Sequence, residues 1–220
     1  IHALGGRLGV LWIDAHAEEC IADLQRFVRQ PSISAQGIGL RECAALVREM
    51  MHTDGLPAEF HELDEGPPVV FGHLEAPRPT KTLLCYSHYD VQPPEPIEAW
   101  SHGGPWSAEI VDGVLYGRGA TDNKSGVLAF NKAAKAFLAV RGEVPVSLKF
   151  LIEGEEEIGS PNLAAWAARN EALLEADGMH CLDGSLEVGV DVPDVSLGLK
   201  SVLLVELIAR GAKSDVHSLN

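Results

Sequence analysis

Short apolar runs alternate with stretches of helical periodicity along most of this chain, and that alternation restricts its architecture more than any other feature. Val69 to Phe71, Thr82 to Ser87, Val114 to Tyr116, Val146 to Ile152 and Gly178 to Leu182 are too short for helices and rich in strand-favouring residues. Ahead of them, Ile13, Ala17, Ile21, Leu24 and Val28 recur at helical spacing between about Leu11 and Arg29, with Pro31 as the stop. A second helix is expected over Leu40 to Thr53, ended by Asp54 and Gly55, and two more over Ser125 to Val140 and Asn162 to Ala176. Strands that take turns with helices make an α/β layered domain around a largely parallel sheet. The turn-like stretch DVPDVSLG around Pro193 suggests a boundary, and Val202 to Ala209 is a fresh strand-like run beyond it. No internal repeat points to a solenoid.

Charge removes several function classes. With 17 Lys and Arg against 32 Asp and Glu, the formal net charge is −15, which argues against nucleic acid or an anionic membrane as the main partner. Cys20, Cys43, Cys85 and Cys181 lie far apart and form no C-x-x-C pair, so buried, reduced thiols in a cytoplasmic protein are expected. No apolar stretch reaches the roughly 18 residues of a membrane helix. Without an initiator Met, the chain reads as soluble and trimmed at its N-terminus.

The polar residues of interest follow the strands. In "YSHYDVQP", His88 and Asp90 are two residues apart, so an extended backbone can turn both to one face. Glu155, Glu156 and Glu157 follow the Val146 to Ile152 run, Asp183 follows the next, and the Gly-rich "YGRGATDNKSG" presents Asp122 just before a helix. Ligand crevices of open α/β sheets lie at the carboxyl ends of the strands. Two readings stand beside each other here. Asp122 or Asn123 caps the following helix and the glutamates form a solvated loop, or these groups converge and their mutual repulsion is offset by a cation. One imidazole with several carboxylates and no thiolate suits zinc, manganese or cobalt in a hydrolytic site. His2, His16, His52, His61, His73, His102 and His180 have no ligand-like spacing and read as surface or packed histidines.

The stretches "SHYDVQP", "YGRGATDNKSG", "EGEEEIGS", "LDGS" and "KSDVHS", in that order over Ser87 to Ser218, resemble the M20 family of metallopeptidases and amidohydrolases. The resemblance implies a three-layer α/β zinc-peptidase-like catalytic domain over residues 1–199 and the start of an α+β lid or dimerisation domain over 200–220. It implies two divalent metal ions, zinc first and manganese or cobalt otherwise. His88 and Asp183 would bind one ion, Glu157 the other, and Asp122 would bridge them. Asp90 would orient His88 and Glu156 would be the general base. The form "HYDVQPPEPIEAW" resembles the dipeptidase, carnosinase-like branch, which implies small peptides as substrates; Trp100 and Trp106 read as packing residues.

The resemblance further implies that His217 reaches a partner's active site in a homodimer, steadying the substrate carboxylate or the oxyanion. Leu219 and Lys200-Ser201 depart from the family's usual Gly and Arg-Gly at that segment. The chain resembles the first half of a family member, whose second ion takes a further histidine from later in the sequence. Alternatives to a dipeptidase are an N-acyl amino acid deacylase and a non-catalytic fragment.

Overall fold

The computed structural model describes residues 2–78, 81–183 and 205–208. Seven strands are present among them: β1 (Glu59–His61), β2 (Val69–Leu74), β3 (Thr82–His88), β4 (Glu109–Val111), β5 (Val114–Tyr116), β6 (Ser147–Glu153) and β7 (Gly178–Cys181). The helices are α1 (His2–Ala15), α2 (Ala17–Val28), α3 (Leu40–Thr53), α4 (Ser125–Arg141), α5 (Leu163–Arg169) and α6 (Glu171–Leu174). The chain divides into Ile1–Ser185, which carries every one of these elements, and Leu186–Asn220. The expected boundary at 199/200 and half of the Val202 to Ala209 run lie outside the described residues, and residues 205–208, the described half of that run, form no strand.

Five strands form the central sheet in the order β1-β2-β6-β3-β7. β3 is parallel to both β6 and β7, while β2 is antiparallel to β1 and β6, so four of the five strands point the same way. Strand periodicity sends neighbouring side chains to opposite layers. Val70, Cys85, Phe150 and Ile152 join Phe27, Val47, Met51 and Phe130 from the helices on one face; Val69, Phe71, Leu84 and Leu151 meet Trp166 of α5 on the other. This is the expected α/β layering, with apolar side chains on both faces of the sheet.

Three elements differ from the sequence expectation. The helix read over Leu11 to Arg29 is two helices that break at His16, whose backbone leaves the helical region (φ −117°, ψ 21°) while its Nδ1 lies 2.7 Å from the Trp12 carbonyl four residues back. Asn170 (φ −126°, ψ 30°) divides the Asn162 to Ala176 helix similarly, its Nδ2 donating to the Trp166 carbonyl at 2.8 Å. A polar side chain bonded to a carbonyl one turn back competes with continuation of the helix, and helical spacing of apolar residues does not reveal it. Finally, Val114–Tyr116 pairs with β4 in a separate hairpin, turned by Asp112 and Gly113 at φ 50° and 81°.

Candidate metal centre

β3 ends at His88 and β6 at Glu153, directly opposite in a parallel register, and Asp183 stands two residues past β7. Parallel strands deliver their carboxyl ends to one sheet edge, so these groups share a crevice. His88 is fully buried. Its Nδ1 lies 3.1 Å from the Asp90 carbonyl and 3.2 Å from Asp90 Oδ1. Both are acceptors, so Nδ1 carries hydrogen and Nε2 faces the crevice. There Asp122 Oδ1 lies at 3.2 Å, Asp183 Oδ2 at 3.7 Å and Glu156 Oε2 at 3.9 Å. None of them makes a hydrogen bond to Nε2, which is buried without a partner. Ligand atoms of His88, Asp122 and Asp183 all lie within 4.8 Å of one another.

The electrostatics agree with that geometry. Burial alone would pull the His88 imidazole down, but its hydrogen bond with Asp90 and the charges of Asp90, Glu156 and Asp183 push it up to about 9. Glu156 is raised by burial and by Asp183, Glu157 and Asp90, against the opposing pull of His88. Asp183 is raised by burial and by Asp122, again with His88 opposing. An imidazole that holds its proton this firmly and carboxylates that ionise reluctantly describe one negative potential. A divalent cation at Nε2 would replace the proton and offset that charge, so the donor set fits a metal ion.

The acidic loop after β6 is built residue by residue. Gly154 packs against the Tyr89 phenol, where a Cβ would come within 2.4 Å of its ring and hydroxyl oxygen, so no larger residue fits. Glu155 is buried and accepts two bonds from Asn162 Nδ2 at 3.0 and 3.1 Å, which explains one carboxylate of the run without a metal. Buried Asp90 accepts the N–H of Glu156 (3.2 Å) and of Glu157 (3.1 Å), so the residue that orients His88 also holds the loop. Glu157 stands outside the three-residue cluster around His88, and its carboxylate turns to Gln92. Burial and, after the opposing Gln92 bond, the charge of Asp122 raise it.

Asp122 sits in the turn Ala120–Lys124, which follows Gly119 in the left-handed region (φ 82°) and leads into α4. The start of α4 has no side-chain cap bond, so the capping reading of Asp122 or Asn123 is not what the structure has. What anchors the turn is Lys124, which composition and spacing did not single out. Its fully buried ammonium donates to the carbonyls of Phe27 (3.0 Å) and Gln30 at the C-terminal end of α2. Helix-end carbonyls carry partial negative charge and stabilise the buried cation, while burial lowers its pKa. A lysine after an acidic turn has no distinctive spacing; Gln92, inside a quoted motif, was visible but given no role. His217 lies outside the described residues.

The four cysteines are unpaired, with Cys43 and Cys85 buried as expected and Cys181 exposed on β7, contrary to expectation. Among the described residues no helix is long and apolar enough to cross a membrane.

A strand-edge cluster of one imidazole and several acids, carried on this layered sheet, is matched by the sequence pattern of peptidase family M20/M25/M40 over residues 84–213, and the chain belongs to that family. It is 37% identical over 228 residues to the Beta-Ala-His dipeptidase of Homo sapiens, covering 94% of this chain and 44% of that protein. The Cys-Gly metallodipeptidase dug1 of Schizosaccharomyces pombe is 31% identical over 222 residues, covering 94% of this chain and 46% of that protein. Human carnosine dipeptidase 1 superposes with a TM-score of 0.75 at 32% identity, covering 81% of this chain and 41% of that one. For the M20 family metallo-carboxypeptidase Sso-CP2 from Sulfolobus solfataricus the TM-score is 0.71 at 39% identity, with 76% and 38% covered. The chain therefore spans less than half the length of these relatives.

Proposed function

We propose that this chain carries the metal centre of a metal-dependent hydrolase that cleaves the amide bond of dipeptides or other small peptides. The observation that carries the proposal is the buried, unpartnered Nε2 of His88, within 3.2 to 3.9 Å of carboxylates from three separate parts of the chain. His88, Asp122 and Asp183 would hold one divalent ion; Glu157, with Asp122 shared, would contribute to a second. Zinc is the proposed metal, manganese or cobalt the alternatives. Bound there, the metal would supply Lewis acidity to the scissile carbonyl and to the attacking water.

The chain's own residues handle the proton. Asp90 keeps hydrogen on His88 Nδ1 and so fixes which nitrogen faces the crevice. Glu156, held through its N–H by Asp90, is the general base: its carboxylate accepts a proton from the attacking water and delivers it to the leaving amine nitrogen. Its raised pKa suits that task, because a base nearer neutrality accepts a proton more readily. Peptides with a free carboxylate are the proposed substrates, supported by the dipeptidase relatives. The homodimer and the role of His217 are part of the same proposal, as is the cytoplasm, which four unpaired thiols favour.

The test uses protein expressed from its natural reading frame. Glu156→Gln should keep its metal and lose turnover of dipeptides by about 10²- to 10⁴-fold. Unchanged turnover would remove Glu156 from the mechanism, and a wild-type protein that takes up no divalent ion would end the proposal. A succinyl-diaminopimelate desuccinylase of Rhodopseudomonas palustris is 37% identical over 141 residues, so acylated amino acids belong in the same assay. Faster turnover of these than of dipeptides would identify a deacylase.

A further inference from the structure

Glu157 is held by four hydrogen bonds with two of the residues that follow Tyr89, Asp90 and Gln92. Its N–H donates to Asp90 Oδ2 at 3.1 Å. Its main-chain carbonyl accepts from Gln92 Nε2 at 3.0 Å, and the same amide nitrogen donates to Glu157 Oε2 at 2.9 Å. The main-chain N–H of Gln92 reaches the other carboxylate oxygen, Oε1, at 3.2 Å. One side chain therefore ties the Glu157 carbonyl and carboxylate together, which fixes the rotamer of a residue that would otherwise swing freely from a short turn. Gln92 in turn follows Val91, whose N–H donates to the Ser32 carbonyl at 2.9 Å and whose side chain is buried.

These contacts leave the carboxylate able to bind a cation. An ionised carboxylate has about four acceptor positions, and Gln92 takes one on each oxygen. Burial and the charge of Asp122 both disfavour the ionised form of this group, and Gln92 opposes them with donors. Among the described residues no such amide bonds the carboxylates of the His88 cluster, where the imidazole is oriented by Asp90.

We propose that Gln92 is a positioning residue that aims the Glu157 carboxylate and so builds the seat of a second metal ion, which shares Asp122 with the first seat but not His88 or Asp183. The inference rests on the metal-hydrolase reading above. It makes the two seats separable, since removing the Gln92 amide loosens one ion and spares the other.

The experiment is titration with Zn(II) or Co(II) alone, at buffered free-ion concentrations, of protein expressed from its natural reading frame. Gln92→Met keeps the side-chain length and removes the donor. The expected result is two bound ions in wild type and, in Gln92→Met, one ion unchanged and the other weakened roughly tenfold or more. The melting temperature of the metal-free variant should stay within about 2 °C of wild type, as expected when global stability changes little. Gln36→Met, which removes an amide facing the surface carboxylate of Glu95 at 3.5 Å, should leave both affinities unchanged. Both constants unchanged in Gln92→Met, or both weakened together with a lower melting temperature, would overturn the positioning role. A single ion in wild type would also overturn it, because the second seat would not exist. Failure of the underlying reading looks different: wild type would bind no ion at all, and both proposals would fall.

Discussion

Two groups of three carboxylates lie in this chain, and they are neutralised in opposite ways. Glu19, Asp23 and Asp54 gather where α2 meets the end of α3, and α4 inserts two ammonium groups among them. Lys132 Nζ lies 2.5 Å from Asp23 and 2.9 Å from Asp54; Lys135 Nζ lies 2.6 Å from Glu19 and 2.9 Å from Asp54. Around His88 the carboxylates of Asp122, Asp183 and Glu156 face one imidazole nitrogen, and no lysine or arginine joins them among the described ion pairs. A cluster that carries its own cations is a structural joint. One that leaves a buried nitrogen unpartnered and raises the pKa of its acids fits the cation from solution proposed above.

The first consequence is a difference in sign when charge is removed. Lys132 and Asp54 are both buried, so Lys132→Met leaves Asp23 without its counter-ion and Asp54 with Lys135 alone. Breaking a buried pair by deleting one partner costs about 3 kcal/mol or more. With Lys135 still beside Asp54, urea unfolding of the metal-free protein should show a loss of about 2 kcal/mol or more. A loss below about 1 kcal/mol, the worth of an exposed pair, would mean that the two clusters do not differ as argued.

Asp183→Asn should act the other way. Its ionised form is disfavoured in the folded protein, so a neutral isostere should leave the metal-free protein as stable as wild type or slightly more stable, the gain kept small because Asp183 is open to solvent. The same variant should bind divalent metal about a hundredfold more weakly, as expected when a ligand rather than a distant charge is removed. Asp23→Asn, in the lysine-paired cluster, should leave metal affinity unchanged. If Asp183→Asn destabilises the metal-free protein while Asp23→Asn weakens metal binding, the assignment of structural and functional clusters is reversed.

The sequence made the two regions unequally legible, for physical reasons. His88, Asp90, Asp122 and Asp183 could be placed because each follows an apolar run or a Gly-rich turn, and parallel strands send their ends to one edge. Leu40–Thr53 was readable to its last residue because Asp54 and Gly55 mark the stop. The breaks at His16 and Asn170 were not, since each depends on a side chain bonded to a carbonyl one turn back. The lysine-filled cluster was also invisible, because its members are 78 to 116 residues apart in their pairings and sit on helices with no special spacing. Lys124 and Gln92 escaped for a related reason. What defines them is which carbonyl or carboxylate they reach, and that is set by packing of distant segments.

The smallest expected effect concerns pH and again separates the clusters. Burial would lower Lys135, but its bonds to Glu19 and Asp54 override it and raise the pKa; Lys132 is raised in the same way by Asp23 and Asp54. Glu19 is lowered, first by its hydrogen bond from Lys135 and then by the charges of Lys135 and Lys132. A base whose folded pKa is raised contributes stability that is complete below its unfolded value of about 10.4 and is lost as pH climbs through the folded value. An acid whose folded pKa is lowered contributes stability that is present above about 4.3 and is lost as pH falls through the folded value. Together they predict a plateau. The stability difference between wild type and Lys135→Met, read from urea midpoints in metal-free buffer, should be flat from roughly pH 6 to 9.5 and shrink above roughly pH 10.5. It should be smaller than the Lys132→Met loss, because Glu19 is half exposed and water screens that pair, while Asp54 keeps Lys132 as its partner. A difference that instead collapses between roughly pH 6 and 8 would mean that Lys135 does not control the cluster.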